Sequence, residues 1–113
     1  MQRGYKVYLE DILSSIEKIE RYIKGISHEK FLEDDMISDA IIRNLEVIGE
    51  ATKNVSFDIK REYKDIEWKK ISGLRDILIH AYFGIDLRIV WDIIINKLPE
   101  LKRLIKKMIS DLK

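Results

Sequence analysis

The run Gly73-Leu74-Arg75-Asp76-Ile77-Leu78-Ile79-His80-Ala81-Tyr82 sets four polar side chains into an otherwise apolar, helix-like stretch. At about 100° per residue, Asp76 and His80 lie one turn apart, share a face and can touch. An aspartate against one imidazole nitrogen fixes the tautomer and leaves the other nitrogen for proton transfer. Arg75, Ile79 and Tyr82 follow one another at i, i+4, i+7 on a neighbouring stripe. Arg75 and His80 are offset by about 140° and about 7.5 Å along the axis. They border one groove only through long side chains, or with a second subunit completing the site. Arg, Asp, His and Tyr without a metal suit the cleavage of RNA, whose 2′-OH is an internal nucleophile. That reaction needs a base for the 2′ proton, an acid for the 5′-oxygen and a cation over the phosphorane. Histidine suits the proton transfers because its pKa lies near about 6.5. Arginine suits the dianionic transition state through its rigid donor fork. With one His in the cluster, acid and base require two copies of the helix, which a symmetric dimer supplies. A plainer reading stands beside this one: a satisfied structural histidine, and a helix-end tyrosine with its hydroxyl in water.

A helix carrying that run must be held by others, and the periodicity supplies them. Tyr5, Leu9, Ile12, Ile16, Ile19 and Ile23 form one stripe, with Gly25 as a stop. Residues 26–35 read as a polar connection with a short turn around Phe31-Leu32, in which His28 is given no role. Asp34 or Asp35 caps the next helix, with the stripe Ile37, Ile41, Leu45, Ile48, Thr52, Val55. Gly49 inside it costs about 1 kcal/mol relative to Ala, so a close helix approach is expected there and at Gly73. Residues 56–66 read as a shorter helical or turn region. A third long helix is predicted from about Glu67 to Tyr82, with Ile71, Leu74, Leu78 and Ala81 inward and Gly84 as its left-handed stop. At its start, Trp68, Lys69 and Lys70 suit a grip on RNA, or more simply packing. Asp86 is a good N-cap for a helix from Leu87 to about Lys97, and Pro99 opens a last helix to about Leu112. No segment alternates with period two, so no sheet is expected. The expectation is a single all-α domain over residues 1–113, an antiparallel bundle of four or five helices. The helix with Ile89, Val90, Trp91, Ile93, Ile94 and Ile95 is apolar around much of its circumference, which suits either a central helix or a dimer interface.

The chain has 113 residues, of which 46% are hydrophobic, enough for a core and too many for disorder. There is no cysteine, which excludes disulfides, cysteine nucleophiles and Cys-type zinc sites. With only His28 and His80 as histidines, no metal or other cofactor is expected. Glu46 and Glu50, at i, i+4, resemble an acid/base or metal pair but fit a solvated acidic face better. The 21 basic and 20 acidic residues give a net charge of +1, which argues against a basic nucleic-acid coat protein. That neutrality conceals segregation: residues 29–50 are acidic and residues 97–113 are basic, the latter through Lys97, Lys102, Arg103, Lys106, Lys107 and Lys113. Such faces are commonly solvated and ion-paired, but they leave room for local phosphate attraction. No apolar run reaches the roughly 18–20 residues of a membrane span, and no signal-peptide pattern opens the chain, so a soluble, cytoplasmic protein is expected.

Arg75-Asp76-Ile77-Leu78-Ile79-His80 resembles the Arg-polar-x3-x-His class of signature in HEPN domains. The stretches His80-Ala81-Tyr82-Phe83-Gly84-Ile85-Asp86-Leu87-Arg88-Ile89-Val90-Trp91 and Ile42-Arg43-Asn44-Leu45-Glu46-Val47-Ile48-Gly49-Glu50-Ala51 are similar to the HepT branch of that family. The resemblance covers nearly the whole chain. It implies a HEPN-like bundle and a metal-independent RNase toxin, homodimeric, with the Arg-x4-His motifs of two subunits lining one cleft. It implies as partner a nucleotidyltransferase antitoxin of the MntA type. Carried over, Arg75 and His80 are the catalytic pair, Asp76 is the supporting polar residue and Tyr82 is the tyrosine that the antitoxin modifies with AMP. Many relatives have Asn where this chain has Asp76, so an extra negative charge stands near the scissile phosphate, with Arg75 as its counter-charge. The alternative is a non-catalytic helical module that binds a nucleotide or docks the nucleotidyltransferase.

Overall fold

The computed structural model describes residues 2–79 and 84–112, and their side chains except those of residues 2–4, 75–77 and 79. Among the described residues there are seven helices and no strand: α1 (Gln2–Ile23), α2 (His28–Glu33), α3 (Asp35–Lys53), α4 (Phe57–Glu62), α5 (Trp68–Ile79), α6 (Leu87–Asn96) and α7 (Leu98–Asp111). Five long helices make the expected all-α bundle, with two short helices in its connections. No helix among the described residues is long and apolar enough to cross a membrane.

The stripes read from the sequence form the core. Leu9, Ile12, Ile16 and Ile19 of α1 meet Ile41, Leu45 and Ile48 of α3, all essentially without exposure. α3 is the hub, packed on α1 along one side and on α5 along another, while α7 closes over α1. Leu98, Leu101, Ile105 and Met108 are the buried side of α7. Lys102 Nζ, 2.8 Å from Glu20 Oε1, ties that helix to α1 at its rim.

Local chemistry sets most boundaries. Gly25 has φ 75° and Gly84 φ 98°, the left-handed conformation that glycine adopts without a Cβ penalty. The Asp34 side chain, not that of Asp35, caps α3 by accepting from the Ile37 N–H at 3.1 Å. Lys97 alone separates α6 from α7, and Pro99 stands in the first turn of α7, where it needs no N–H partner.

Three expectations are corrected. Residues 26–35 are not merely a connection: Ser27 caps α2, accepting from the Lys30 N–H at 3.1 Å, and Phe31 is fully buried. At Gly73, apart from its chain neighbours and the backbone of its own helix, no described atom lies within 4 Å of where a Cβ would stand, so close approach of another helix does not explain it. His28 has a packing role, with its ring stacked on Trp91 at 5.4 Å and 12°. Its Nε2 is buried with no hydrogen-bond partner among the described residues.

The α4–α5 connection is tied to the far end of the chain, where Tyr63 Oη donates to Asp111 Oδ2 at 2.9 Å. Burial, then that acceptor, push the Tyr63 phenol up to about 12. A folded-state pKa above the unfolded value of about 10 means stability that is fully present below pH 10 and lost as pH rises through 12. Tyr63→Phe is expected to cost about 1 kcal/mol near neutrality and to flatten the alkaline decline. Urea melts of both proteins across that range check this, and parallel alkaline curves refute it.

Candidate active site

α5 carries the first half of the chemical run, and its rotation is fixed at both ends. At its start Trp68 is buried, and its Nε1–H donates to the Tyr63 carbonyl at 2.9 Å. One turn on, Ser72 Oγ donates to the Trp68 carbonyl at 2.8 Å. Near its end Leu78 is buried, with Ile71 and Leu74 partly buried against the core. Trp68 thus packs rather than stands free, as the simpler sequence reading holds. With Leu78 inward, helix geometry puts position 75 about 60° around the axis from it and position 76 about 160°. Position 75 therefore borders the buried stripe, and position 76 stands on the opposite side of the helix. The side chains of Arg75 and Asp76, and His80 and Tyr82 entirely, lie outside the described residues.

α6 is fixed at its own start. The Asp86 carboxylate caps α6, accepting from the Arg88 N–H at 3.0 Å and from Arg88 Nε at 3.3 Å. Those hydrogen bonds hold the Asp86 carboxyl below the usual carboxylate range. Val90 and Ile94 face the core, and Trp91 meets Phe31 at 5.2 Å and the His28 ring. The end of α5 and the capped start of α6 are thus both fixed by contacts of their own.

α6 is not enclosed by the bundle. Ile89 is 60% exposed and Ile95 45%, one on either flank of the buried Val90/Ile94 stripe. The central-helix reading therefore fails for this single chain, and two apolar flanks are left open.

The other candidates separate cleanly. Glu46 and Glu50 border a groove with Tyr8, Asp11 and Arg43, and among the described residues no three or more of His, Asp and Glu are grouped so as to hold a metal ion. The basic C-terminal helix is partly ion-paired, Arg103 to Glu100 at 2.6 Å and Lys102 to Glu20. An apolar cavity of about 400 Å³ lies between α3, α5 and α7, floored by Leu45, Ile48, Leu74 and Leu101. A larger groove at the start of α5, of about 870 Å³, combines Phe57 and Trp68 with five cations. The sequence offered only Trp68, Lys69 and Lys70 of it, because the rest comes from α4 and its connection.

Comparison with known proteins bears on these features. The family model described as "Ribonuclease HepT-like" matches residues 12–108. A "Probable ribonuclease HepT" of Thermococcus cleftensis is 45% identical over 108 residues, covering 96% of this chain and 98% of that one. Two further relatives, each named "Putative RNase", come from Caldanaerobacter subterraneus subsp. tengcongensis (42% over 103 residues, 91% and 92% covered) and Methanocaldococcus jannaschii (42% over 111 residues, 98% and 96% covered). No solved structure matches the chain. With the family model spanning both the α3 hub and the α5–α6 segment, the chain belongs to the HepT-like ribonuclease family.

Proposed function

We propose that this chain is a metal-independent endoribonuclease, the toxin of a toxin–antitoxin pair, which cleaves RNA in a cleft shared by two copies. The observation that carries the reading is the 45% identity to a chain named "Probable ribonuclease HepT" along almost the full length of both chains. The two apolar flanks of α6 support pairing of copies, since Ile89 and Ile95 would otherwise face water. Positions 75 and 76 on α5 support the cleft, because that helix is fixed in rotation at both ends.

In the cleft, one His80 takes the proton from the 2′-OH, and the 2′-oxygen attacks phosphorus. The bond from phosphorus to the 5′-oxygen then breaks, and the partner copy's equivalent imidazolium protonates the leaving oxygen. The products are a 2′,3′-cyclic phosphate and a 5′-hydroxyl. Arg75 stabilises the extra charge of the phosphorane. Asp76 orients the imidazole and supports its charged form. A nucleotidyltransferase antitoxin transfers AMP from ATP to the Tyr82 oxygen and releases pyrophosphate. The bulk and negative charge then oppose Arg75 and close the groove to RNA.

Purified protein is expected to cut total RNA in EDTA and to leave cyclic phosphate ends. After incubation with the nucleotidyltransferase and ATP, it is expected to gain one adenylyl mass on Tyr82 and stop cutting. RNA that stays intact overturns the nuclease reading. An adenylyl gain without prior cleavage favours the non-catalytic module.

A further inference from the structure

Resting on that nuclease reading, we infer that the groove between α4 and the start of α5 is a track for single-stranded RNA, feeding the strand toward the cleft. The side chains that form it are Phe57, Lys60, Arg61, Lys64, Trp68 and Lys69.

Charge comes first. Five cations line the groove against one carboxylate, Glu67, and that carboxylate is already held by Lys70 at 2.9 Å. Arg61 is paired with Asp58 at 2.5 Å. Lys64 and Lys69 are exposed and have no ion-pair partner among the described residues. The groove thus offers two uncompensated ammonium groups in a chain whose net charge is only +1.

Aromatic surface comes second. Phe57 is 72% exposed, so its ring is within reach of a base arriving from solvent. The Arg61 guanidinium lies over that ring at 5.1 Å, and Lys60 Nζ lies over Trp68 at 6.0 Å. Burial lowers the Lys60 pKa, so a phosphate nearby would favour its charged form. Cations interleaved with an open ring are what a single strand requires, a ring for the base and ammonium groups for the backbone. A protein partner of matching acidity would pair the lysines but has no need of the stacked guanidinium–phenyl platform.

Direction comes third. Trp68, Ser72 and position 75 follow at i, i+4, i+7 along α5, and Lys69 and position 76 share the next stripe at i, i+7. A strand lying in the groove would meet the motif positions about 10 Å further along the same helix. The track is built from described residues alone and is separate from the Arg75/His80 pair.

The test measures binding of a fluorescent 12-nucleotide oligouridylate by anisotropy, on the His80→Ala chain so that the probe is not cut. Lys64→Ala/Lys69→Ala is expected to weaken binding about tenfold at moderate salt and to reduce the slope of log K against log salt by about 1.4, the value for two phosphate contacts on a single strand. Phe57→Ala is expected to weaken binding five- to tenfold with the slope unchanged, the signature of lost stacking. Circular dichroism confirms that the variants are folded. Affinity and slope unmoved in both variants overturn the track, and loss of nucleotidyltransferase binding in those variants would reassign the groove to a protein. The nuclease reading fails separately: a wild-type chain that cuts nothing overturns it, even where binding responds as expected.

Discussion

His80→Ala is expected to reduce RNA cleavage by at least 10³-fold, and Arg75→Ala by 10²–10³-fold. One positioned acid or base contributes about 10²–10⁴-fold. In the proposed cleft shared by two copies, the same substitution would remove the base and the acid together, which puts His80→Ala at the upper end. In the proposed mechanism Arg75 stabilises charge that develops in the transition state, and the loss of one such donor elsewhere costs about 10²–10³-fold. The two variants also differ in kind. Wild type is expected to show a bell-shaped pH–rate profile, because one imidazole must be neutral while the other is charged. Arg75→Ala keeps the bell at a lower height, whereas residual cleavage by His80→Ala loses both limbs. Initial rates on a fluorogenic RNA across pH 5–9 make the comparison, alongside growth of cells expressing each variant. Cleavage unchanged in both variants overturns the assignment, and a single-limbed wild-type profile overturns the two-histidine cleft.

Much of the scaffold behind that assignment was legible in the residues, and the physical reason is length. α1, α3 and α7 each run at least 14 residues, long enough for a 3–4 spacing to repeat and declare a face. Their stripes are the core. α2 has six residues, fewer than two turns, so no period can emerge, and its one buried side chain looks like an isolated apolar residue in a polar loop. The stack of His28 on Trp91 joins positions 63 apart in the chain, and no local pattern encodes it. α6 shows the opposite failure. Six apolar residues suggested burial all round, yet Ile89 and Ile95 remain largely in water, because one chain of this size has too few elements to cover a whole helix. Gly73 misled for another reason, since composition alone does not distinguish a glycine that admits a neighbour from one in open space. For the site, the spacing put Arg75 and Asp76 on one helix, and α5 does span both positions, while their side chains, His80 and Tyr82 lie outside the described residues. The groove stayed hidden because two of its five cations and its open phenyl ring come from α4 and a third cation from the connection, and only folding brings them beside Trp68.

Phe31→Ala is expected to cost 3–5 kcal/mol, enough to lower the melting temperature by about 15 °C in a domain of this size. Phe31 is fully buried, so truncation leaves a cavity that α2, capped at both ends, is poorly able to fill. It also meets the Trp91 ring at 5.2 Å and 41°, a tilted aromatic contact worth about 0.5–1.5 kcal/mol beyond area. The loss is large against a total stability of about 5–15 kcal/mol. Phe57→Ala supplies the internal control: the same chemical change at a ring 72% exposed is expected to alter stability by less than about 0.5 kcal/mol. Thermal melts and urea titrations of the two variants decide the matter. Equal, small losses would mean that α2 is not part of the core. A large loss for Phe31→Ala also bears on function, because Phe31 and His28 hold Trp91, and Trp91 sits five residues beyond the Asp86 cap. Loosening that contact frees the start of α6, which follows the proposed His80 and Tyr82 in the chain. Phe31→Ala protein kept below its melting temperature is therefore expected to lose cleavage rate as well as stability, while Phe57→Ala protein weakens RNA binding and keeps its fold.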